Sequence, residues 1–339
     1  MSKPPRRIVS GSRPTGRLHL GHLHGALRNW IRLQNEDAEC FFFVADWHAL
    51  TTGWQDTSGI RASTRDMALD WLAAGLDAQR VVLFVQSAVK THAELHLLLS
   101  MIVPTPWLLR NPTIKEQARE LGLLSGDDDD AAMSQLNYGM LGYPVLQSAD
   151  ILIYRASGVP VGIDQVPHLE MTREVARRFN HVYEKVFPEP EALLTEVPKI
   201  PGTDGRKMSK SYNNAVYLSD SEADVTTKLS RMATDPRRVR RTDPGDPADC
   251  PAFNLHRIYC TPQEIEQVTV GCRTAGIGCL DCKKIMIKHV LADLAPIRER
   301  RAELEQTPSL IDDVLQAGNA RAQVAAEETM AHVRAAMQL

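Results

Sequence analysis

No apolar run in these 339 residues approaches the roughly 20 needed to cross a bilayer, so no membrane span is expected. Residues 1–11 are basic in part but lack the apolar stretch of a secretion signal, and a cytoplasmic protein is expected. There is no internal repeat, which sets repeat arrays aside. There is also no excess of charge of either sign, with 39 Lys and Arg against 42 Asp and Glu and a formal net charge of −3. A small basic nucleic-acid module would be far more positive, but a large enzyme binds RNA through a local patch, so this balance neither supports nor excludes RNA. Cysteine is scarce and unevenly placed. Of six, Cys40 stands alone in an apolar run and five fall between 250 and 282. In a cytoplasmic chain such clustering points to a metal site more than to disulfides.

What is present suffices for about two domains, with 43% hydrophobic and 24% charged residues. Arg7-Ile8-Val9-Ser10 reads as a short strand, and turn chemistry follows at Gly11, Pro14 and Gly16. A helix is expected from about Gly21 to Leu33. Phe41–Ala45 and Val81–Val85 read as strands buried on both faces, the pattern of a parallel sheet. Between them, Ser63–Ala74 has the periodicity of an amphipathic helix ending near Gly75. This alternation predicts an α/β fold with a doubly wound, Rossmann-like parallel sheet. Ala88 to Arg119 reads as helix broken by Pro104, Pro106 and Pro112, and 138–154 and 167–180 as further helices. Residues 122–134, with four aspartates at Asp127–Asp130, read as a polar loop of no evident role. After the loop at Pro201–Asn214 strand signals cease. The expected organisation is a catalytic domain over 1–218 and a mostly helical domain over 219–339.

A strand, a glycine-bearing turn and a helix start form a natural anion site at the carboxyl end of a sheet. Pro14-Thr15-Gly16-Arg17-Leu18-His19-Leu20-Gly21-His22 has that form. Imidazole N–H groups of His19 and His22 can donate to phosphate oxygens, and Gly21 would let a nucleotide ring approach. The bland alternative is an ordinary turn, and a His19/His22/His24 metal site lacks any interleaved carboxylate. Lys207-Met208-Ser209-Lys210-Ser211 lies in a polar loop with Gly202, Gly205 and Arg206. Two lysines three apart can close over a pyrophosphate leaving group and neutralise charge that develops in the transition state. A solvated basic loop is the alternative for that segment alone. The two motifs together, in this order, are the signatures of class I aminoacyl-tRNA synthetases.

Three further segments narrow the resemblance: Tyr143-Pro144-Val145-Leu146-Gln147-Ser148-Ala149-Asp150, Val159-Pro160-Val161-Gly162-Ile163-Asp164-Gln165, and His168-Leu169-Glu170-Met171-Thr172-Arg173-Glu174. Over essentially its whole length the chain resembles bacterial tryptophanyl-tRNA synthetases. The resemblance implies activation of L-tryptophan with ATP and Mg²⁺, its transfer to tRNA(Trp), and a homodimer touching near its central helices. It implies that Gly16, His19, Gly21, His22, Gly162, Asp164, Lys207, Met208, Ser209 and Lys210 hold ATP. Tyr143, Gln147 and Gln165 would hold the ammonium and carboxylate of tryptophan, Val159 and Val161 would line the indole pocket, and His48 matches a pocket position. Other members often carry methionine where Gln147 stands. Asp150 lies among apolar residues, where an unpaired carboxylate is costly. An indole N–H would satisfy it, and a structural bridge between helices is the alternative. The runner-up is the tyrosyl relative, which shares a Tyr-x-x-x-Gln-x-x-Asp pattern. Gly162-x-Asp164-Gln165-x-x-His168-x-Glu170 favours tryptophan. A catalytically silent, tryptophan- or RNA-binding paralogue is disfavoured by two intact signature loops.

Cys272, Cys279 and Cys282 are spaced x6 and x2. Four thiolates hold either Zn²⁺ or a [4Fe–4S] cluster, and spacing alone chooses neither. A subset of the resembled family has this run with a fourth cysteine about 22 residues upstream, which implies an iron–sulfur cluster on Cys250, Cys272, Cys279 and Cys282, with zinc or no metal as alternatives. Cys250 precedes Cys272 with 21 residues between them, a one-residue departure, and Cys260 is the rival fourth ligand. Asp235-Pro236-Arg237-Arg238-Val239-Arg240-Arg241 is either a solvated face or an RNA-phosphate contact. His92 and His96, four apart, are expected on a helix surface or at a subunit interface.

Overall fold

The computed structural model describes residues 6–120, 136–162, 165–194 and 200–339. Five parallel strands form one sheet: β1 (Arg7–Ser12), β2 (Glu39–Val44), β3 (Val82–Val85), β4 (Gly158–Val161) and β5 (Glu191–Leu194). Their order is β3-β2-β1-β4-β5. Within β2, Cys40, Phe42 and Val44 enter one core while Phe41 and Phe43 enter the other, with Ile8 and Val9 of β1 divided the same way. Side chains alternate across a pleat, so a run with no polar residue needs cover on both faces. The doubly wound sheet expected from the sequence is present.

Strand order reverses at β1. From β1 the chain runs outward through β2 to β3, and it returns to the other side of β1 with β4. β1 and β4 share only the Ile8–Gly158 register pair, whereas β1 and β2 pair over six residues. The two central strands therefore diverge toward their carboxyl ends, and this is where open α/β sheets bind ligands. The divergence also bears on Pro160, which can donate no N–H to a sheet neighbour.

The first helix begins at Leu20–His22, passes through a π-helical stretch at Leu23–Leu27 and ends with Arg28–Leu33. The helix Ile60–Ala74 stops at Gly75, whose φ of +116° is a left-handed cap that glycine adopts without a Cβ penalty. The proline-broken stretch resolves into helices Thr91–Ser100, Thr105–Leu109 and Pro112–Glu120. The Asp127–Asp130 segment lies outside the described residues. Beyond residue 218 every regular element is helical among the described residues. The final helix, Pro308–Met337, returns to the sheet: Ala322, Ala325, Ala326, Met330 and Val333 share a core with β1, β2 and β3. Asn319 Oδ1 there accepts the Val85 N–H at 2.9 Å. A Cβ on Gly318 would collide with the Leu83 carbonyl oxygen.

Candidate active site

A cavity of about 560 Å³ opens at the divergence of β1 and β4. Its walls include Thr15, His22, Gly25, His48, Tyr143, Gln147, Asp150, Val159, Val161, Gly162 and Gln165. All seven residues singled out for amino-acid binding thus line one cavity. Asp164 lies outside the described residues.

The histidine turn is joined through its backbone to the segment that follows the lysine loop. Leu20 N donates to Val216 O at 3.0 Å and Leu218 N to Leu18 O at 2.9 Å. His19 caps the helix start, its Nδ1 accepting from Gly21 N at 3.1 Å, while His22 Nδ1 accepts from His19 N at 3.2 Å. With Nδ1 spent as an acceptor in each ring, the proton resides on Nε2, which remains a donor. Burial, then the Lys210 charge, lowers the pKa of His19 to about 4. Burial, His19 and Lys210 lower that of His22 as well. Both imidazoles are therefore neutral donors at pH 7. Gly21 has a further reason to be bare: a Cβ there would lie 2.8 Å from His19 Cε1, so the glycine makes room for the histidine ring. His24 turns away to Tyr259, 2.7 Å from its hydroxyl, and takes no part with His19 and His22.

The lysine loop is laced from within by Asn214. Its Oδ1 accepts from Ser209 N at 2.8 Å, and its Nδ2 donates to Asp204 Oδ1 at 2.7 Å and Lys207 O at 3.1 Å. Met208 is buried as the loop's anchor and Lys207 is exposed. Lys210 Nζ donates to Gly16 O at 2.8 Å and to Thr15 Oγ1 at 3.2 Å, bringing a cation to the histidine turn. Partial burial lowers its pKa to about 8. Gly16, with φ of +104°, supplies the backbone bend that presents this carbonyl.

Asp150 is buried but not unpaired. His92 Nδ1 lies 2.6 Å from Oδ1, His48 Nε2 lies 2.7 Å from Oδ2, and Gln86 Nε2 donates to both oxygens at 2.8 and 2.9 Å. Burial acts to raise the carboxyl pKa, but the hydrogen bonds from His48 and His92 outweigh it and hold the group well below the usual carboxylate range. His92 accordingly corrects the surface or interface role expected for it. It is fully buried and reaches Tyr154 OH through Nε2 at 2.7 Å. Tyr143, expected to meet the substrate's polar end, has its hydroxyl 3.1 Å from His168 Nε2. Gln86, Asn214 and Tyr154 escape sequence reading because none lies within a charged or glycine-rich pattern, and His168 was noted only as part of the Gly162–Glu170 run, with no role of its own. The only signal was adjacency, as with Gln86-Ser87 directly after a buried strand.

In the helical region, Cys250 precedes the helix Pro251–Tyr259, and Cys279 and Cys282 begin the helix Cys279–Glu305. Cys282 interacts electrostatically with Cys250, Cys272 and Cys279, and burial followed by these neighbours pushes its thiol up to about 12. Cys260 instead lies 3.2 Å from His256 Nδ1, with His256 Nε2 3.2 Å from Cys282 Sγ. Among the described residues, the ligating atoms that converge within 4.8 Å are those of Cys260, Glu264 and His289. Each of these is accounted for otherwise: Glu264 closes the cap on Thr261 and pairs with His289 at 2.9 Å. Arg237 is spent on Asp235 and Asp249, and Arg238 approaches Cys272 and the Ile277 carbonyl, while Arg240 and Arg241 are exposed.

The comparisons agree with this geometry. The family described as tRNA synthetases class I (W and Y) matches residues 1–292. The chain is 53% identical to the tryptophan–tRNA ligase of Thermotoga maritima, covering 98% of this chain and 99% of that one. It is 46% identical to that of Aquifex aeolicus, covering 98% and 100%. A crystal structure of tryptophanyl-tRNA synthetase from Campylobacter jejuni, complexed with ADP and tryptophan, superposes with a TM-score of 0.84 at 31% identity, covering 98% and 100%. With the cavity at the sheet's switch point and both signature loops in contact, the chain belongs to the tryptophanyl-tRNA synthetases of class I.

Proposed function

We propose that one cavity performs both recognition and activation, the carboxylate of tryptophan attacking the α-phosphate of ATP in line and expelling pyrophosphate. The observation that carries this is a single cavity lined both by the His22 and Thr15 turn, to which Lys210 is fastened, and by Asp150 with Gln147 and Gln165. No protein nucleophile is required, so rate arises from positioning and charge stabilisation. His19 and His22 offer neutral Nε2–H donors to phosphate. Lys210, and Lys207 from the exposed arm of the loop, neutralise pyrophosphate as it leaves. Gly16, Gly21, Gly162, Asp164, Met208 and Ser209 complete the nucleotide subsite. Mg²⁺ would share the phosphate charge when bound. Asp150, acceptor-only as an anion, takes the indole N–H between Val159 and Val161, while Tyr143, Gln147 and Gln165 face the ammonium and carboxylate. The adenylate then passes tryptophan to the 2′-hydroxyl of the terminal adenosine of tRNA(Trp).

The four cysteines suit a [4Fe–4S] cluster. Four thiolates hold either metal form, and the cluster is preferred here on the family resemblance of the Cys250, Cys272, Cys279 and Cys282 run. Cys250, Cys272, Cys279 and Cys282 would hold it, since Cys282 interacts with the other three and Cys260 is not among its partners. Two of these thiols, Cys279 and Cys282, lie in the first turn of one helix, which places them on one rigid element. When bound, the cluster would staple the helix starts together. Exposed Arg240 and Arg241 beside it suit tRNA phosphates, with the division from the catalytic part near residue 218. A homodimer is supported by exposed apolar side chains clustered on and beside Thr91–Ser100: Leu97 at 54%, Met101 at 68% and Tyr138 at 66%. No described helix is long and apolar enough to cross a membrane.

The test is charging of tRNA(Trp) by anaerobically purified protein before and after chelation, with iron, sulfide and zinc analysed on the same sample. Stoichiometric iron and sulfide, with tryptophan charged, is expected. Colourless protein holding stoichiometric zinc would replace the cluster reading, and failure to charge tryptophan would remove the catalytic one.

A further inference from the structure

An ionised carboxylate has about four lone-pair positions, and on Asp150 all are in use. Oδ1 accepts from His92 and Gln86, and Oδ2 from His48 and Gln86. The donors are not equivalent. Gln86 and His92 are fully buried and absent from the cavity wall, whereas His48 lines the cavity with 12% of its side chain exposed.

The two buried donors are themselves oriented. Gln86 Oε1 accepts the Trp47 N–H at 3.2 Å, so its amide nitrogen must face Asp150. His92 Nε2 lies 2.7 Å from the Tyr154 hydroxyl. Tyr154 is wholly buried and stacks on Phe41 with centroids 4.6 Å apart. Burial keeps its phenol protonated well beyond the usual range. It therefore donates to Nε2, which leaves the imidazole proton on Nδ1, aimed at Asp150.

We propose that Gln86 and His92, with Tyr154 behind His92, are positioning residues for tryptophan selection, and that His48 Nε2 holds on Oδ2 the position that the indole N–H takes. Binding exchanges one N–H donor for another at a carboxylate that does not move. A ring analogue without the N–H displaces His48 and leaves Oδ2 short of a donor. That is how a site built on a hydrogen bond rejects an analogue by up to about 10⁴-fold. The exchange gives Asp150 a selective role despite its full set of protein partners. The inference rests on reading Asp150 as the indole acceptor.

The experiment compares kcat/KM for tryptophan with that for its benzothiophene analogue, in which sulfur replaces the indole N–H, by amino-acid-dependent pyrophosphate exchange. In H92L the preference for tryptophan should fall at least about tenfold. In H92N, whose amide nitrogen can reproduce the Nδ1 donor, the preference should largely return. Y154F, which removes one hydroxyl, should lower it by a smaller factor and decides the question if H92L does not fold. Equal loss on both substrates in H92L and Y154F, or no change in the ratio, would overturn the proposal. D150N separates the two readings. If D150N preserves the preference, Asp150 is not the indole acceptor. If D150N abolishes it while H92L and Y154F preserve it, only the positioning roles fail.

Discussion

Lys210 carries the heaviest burden of any single residue. It reaches across from the second signature to the Gly16 carbonyl at 2.8 Å, so its charge arrives beside two neutral imidazoles. Removing one preorganised donor to developing charge costs on the order of 10²–10³ in turnover. K210A should therefore lower kcat for pyrophosphate exchange by about that factor, while the dissociation constant for tryptophan changes little. The pH profile follows from the same environment. Burial lowers Lys210 to about 8, so its charge is complete below that pH and is lost above it. For the free enzyme, kcat/KM for ATP should be level at neutral pH and decline above about 8. His19, lowered to about 4, adds no inflection near 6.5. A profile rising through 6.5 would instead mean that a histidine acts as an acid–base catalyst.

At the scale of elements, the lysine loop is organised by a residue with no motif of its own. N214A would release Ser209 N, Lys207 O and Asp204 together. Small displacements of catalytic groups cost up to about 10²-fold, so turnover should fall by roughly 10-fold or more while the melting temperature moves modestly. For the cysteines, C282S should abolish visible iron–sulfur absorbance, whereas C260S, altering a thiol turned to His256, should retain it. Equal loss in both would make Cys260 a ligand. These elements also separate what the sequence reveals from what it hides. β2 and β3 were legible because burial on both faces leaves uninterrupted apolar runs, and the histidine turn because glycine and histidine there have few other uses. β4 was obscured by Pro160, and β5 by its edge position, where three of four residues are exposed. Asp150 was legible as a residue, but its partners come from Asp46–Gly53, the turn Gln86–Ala88 and Thr91–Ser100, a convergence that no local pattern records.

Across the whole molecule, the catalytic turn is tied to the helical region through Asp70. It is fully buried, accepts the Leu18 N–H at 3.2 Å and pairs with Arg301, which also pairs with Asp66. Breaking a buried pair by removing one partner costs about 3–5 kcal/mol. R301A should destabilise the protein by that order and loosen the turn carrying His19, read by chemical denaturation together with the KM for ATP. The last helix reinforces the link, since Gly318 sits where β3 leaves no room for a side chain, so G318A should unseat it and lower the melting temperature. The whole assembly exists to join one amino acid to one RNA, and the central claim concerns which amino acid. Pyrophosphate exchange measured with tryptophan and with tyrosine in parallel tests it most directly. Exchange with tryptophan, lowered by about 10²–10³ in K210A and negligible with tyrosine, is the predicted result, and exchange supported by tyrosine, or by neither amino acid, would contradict it.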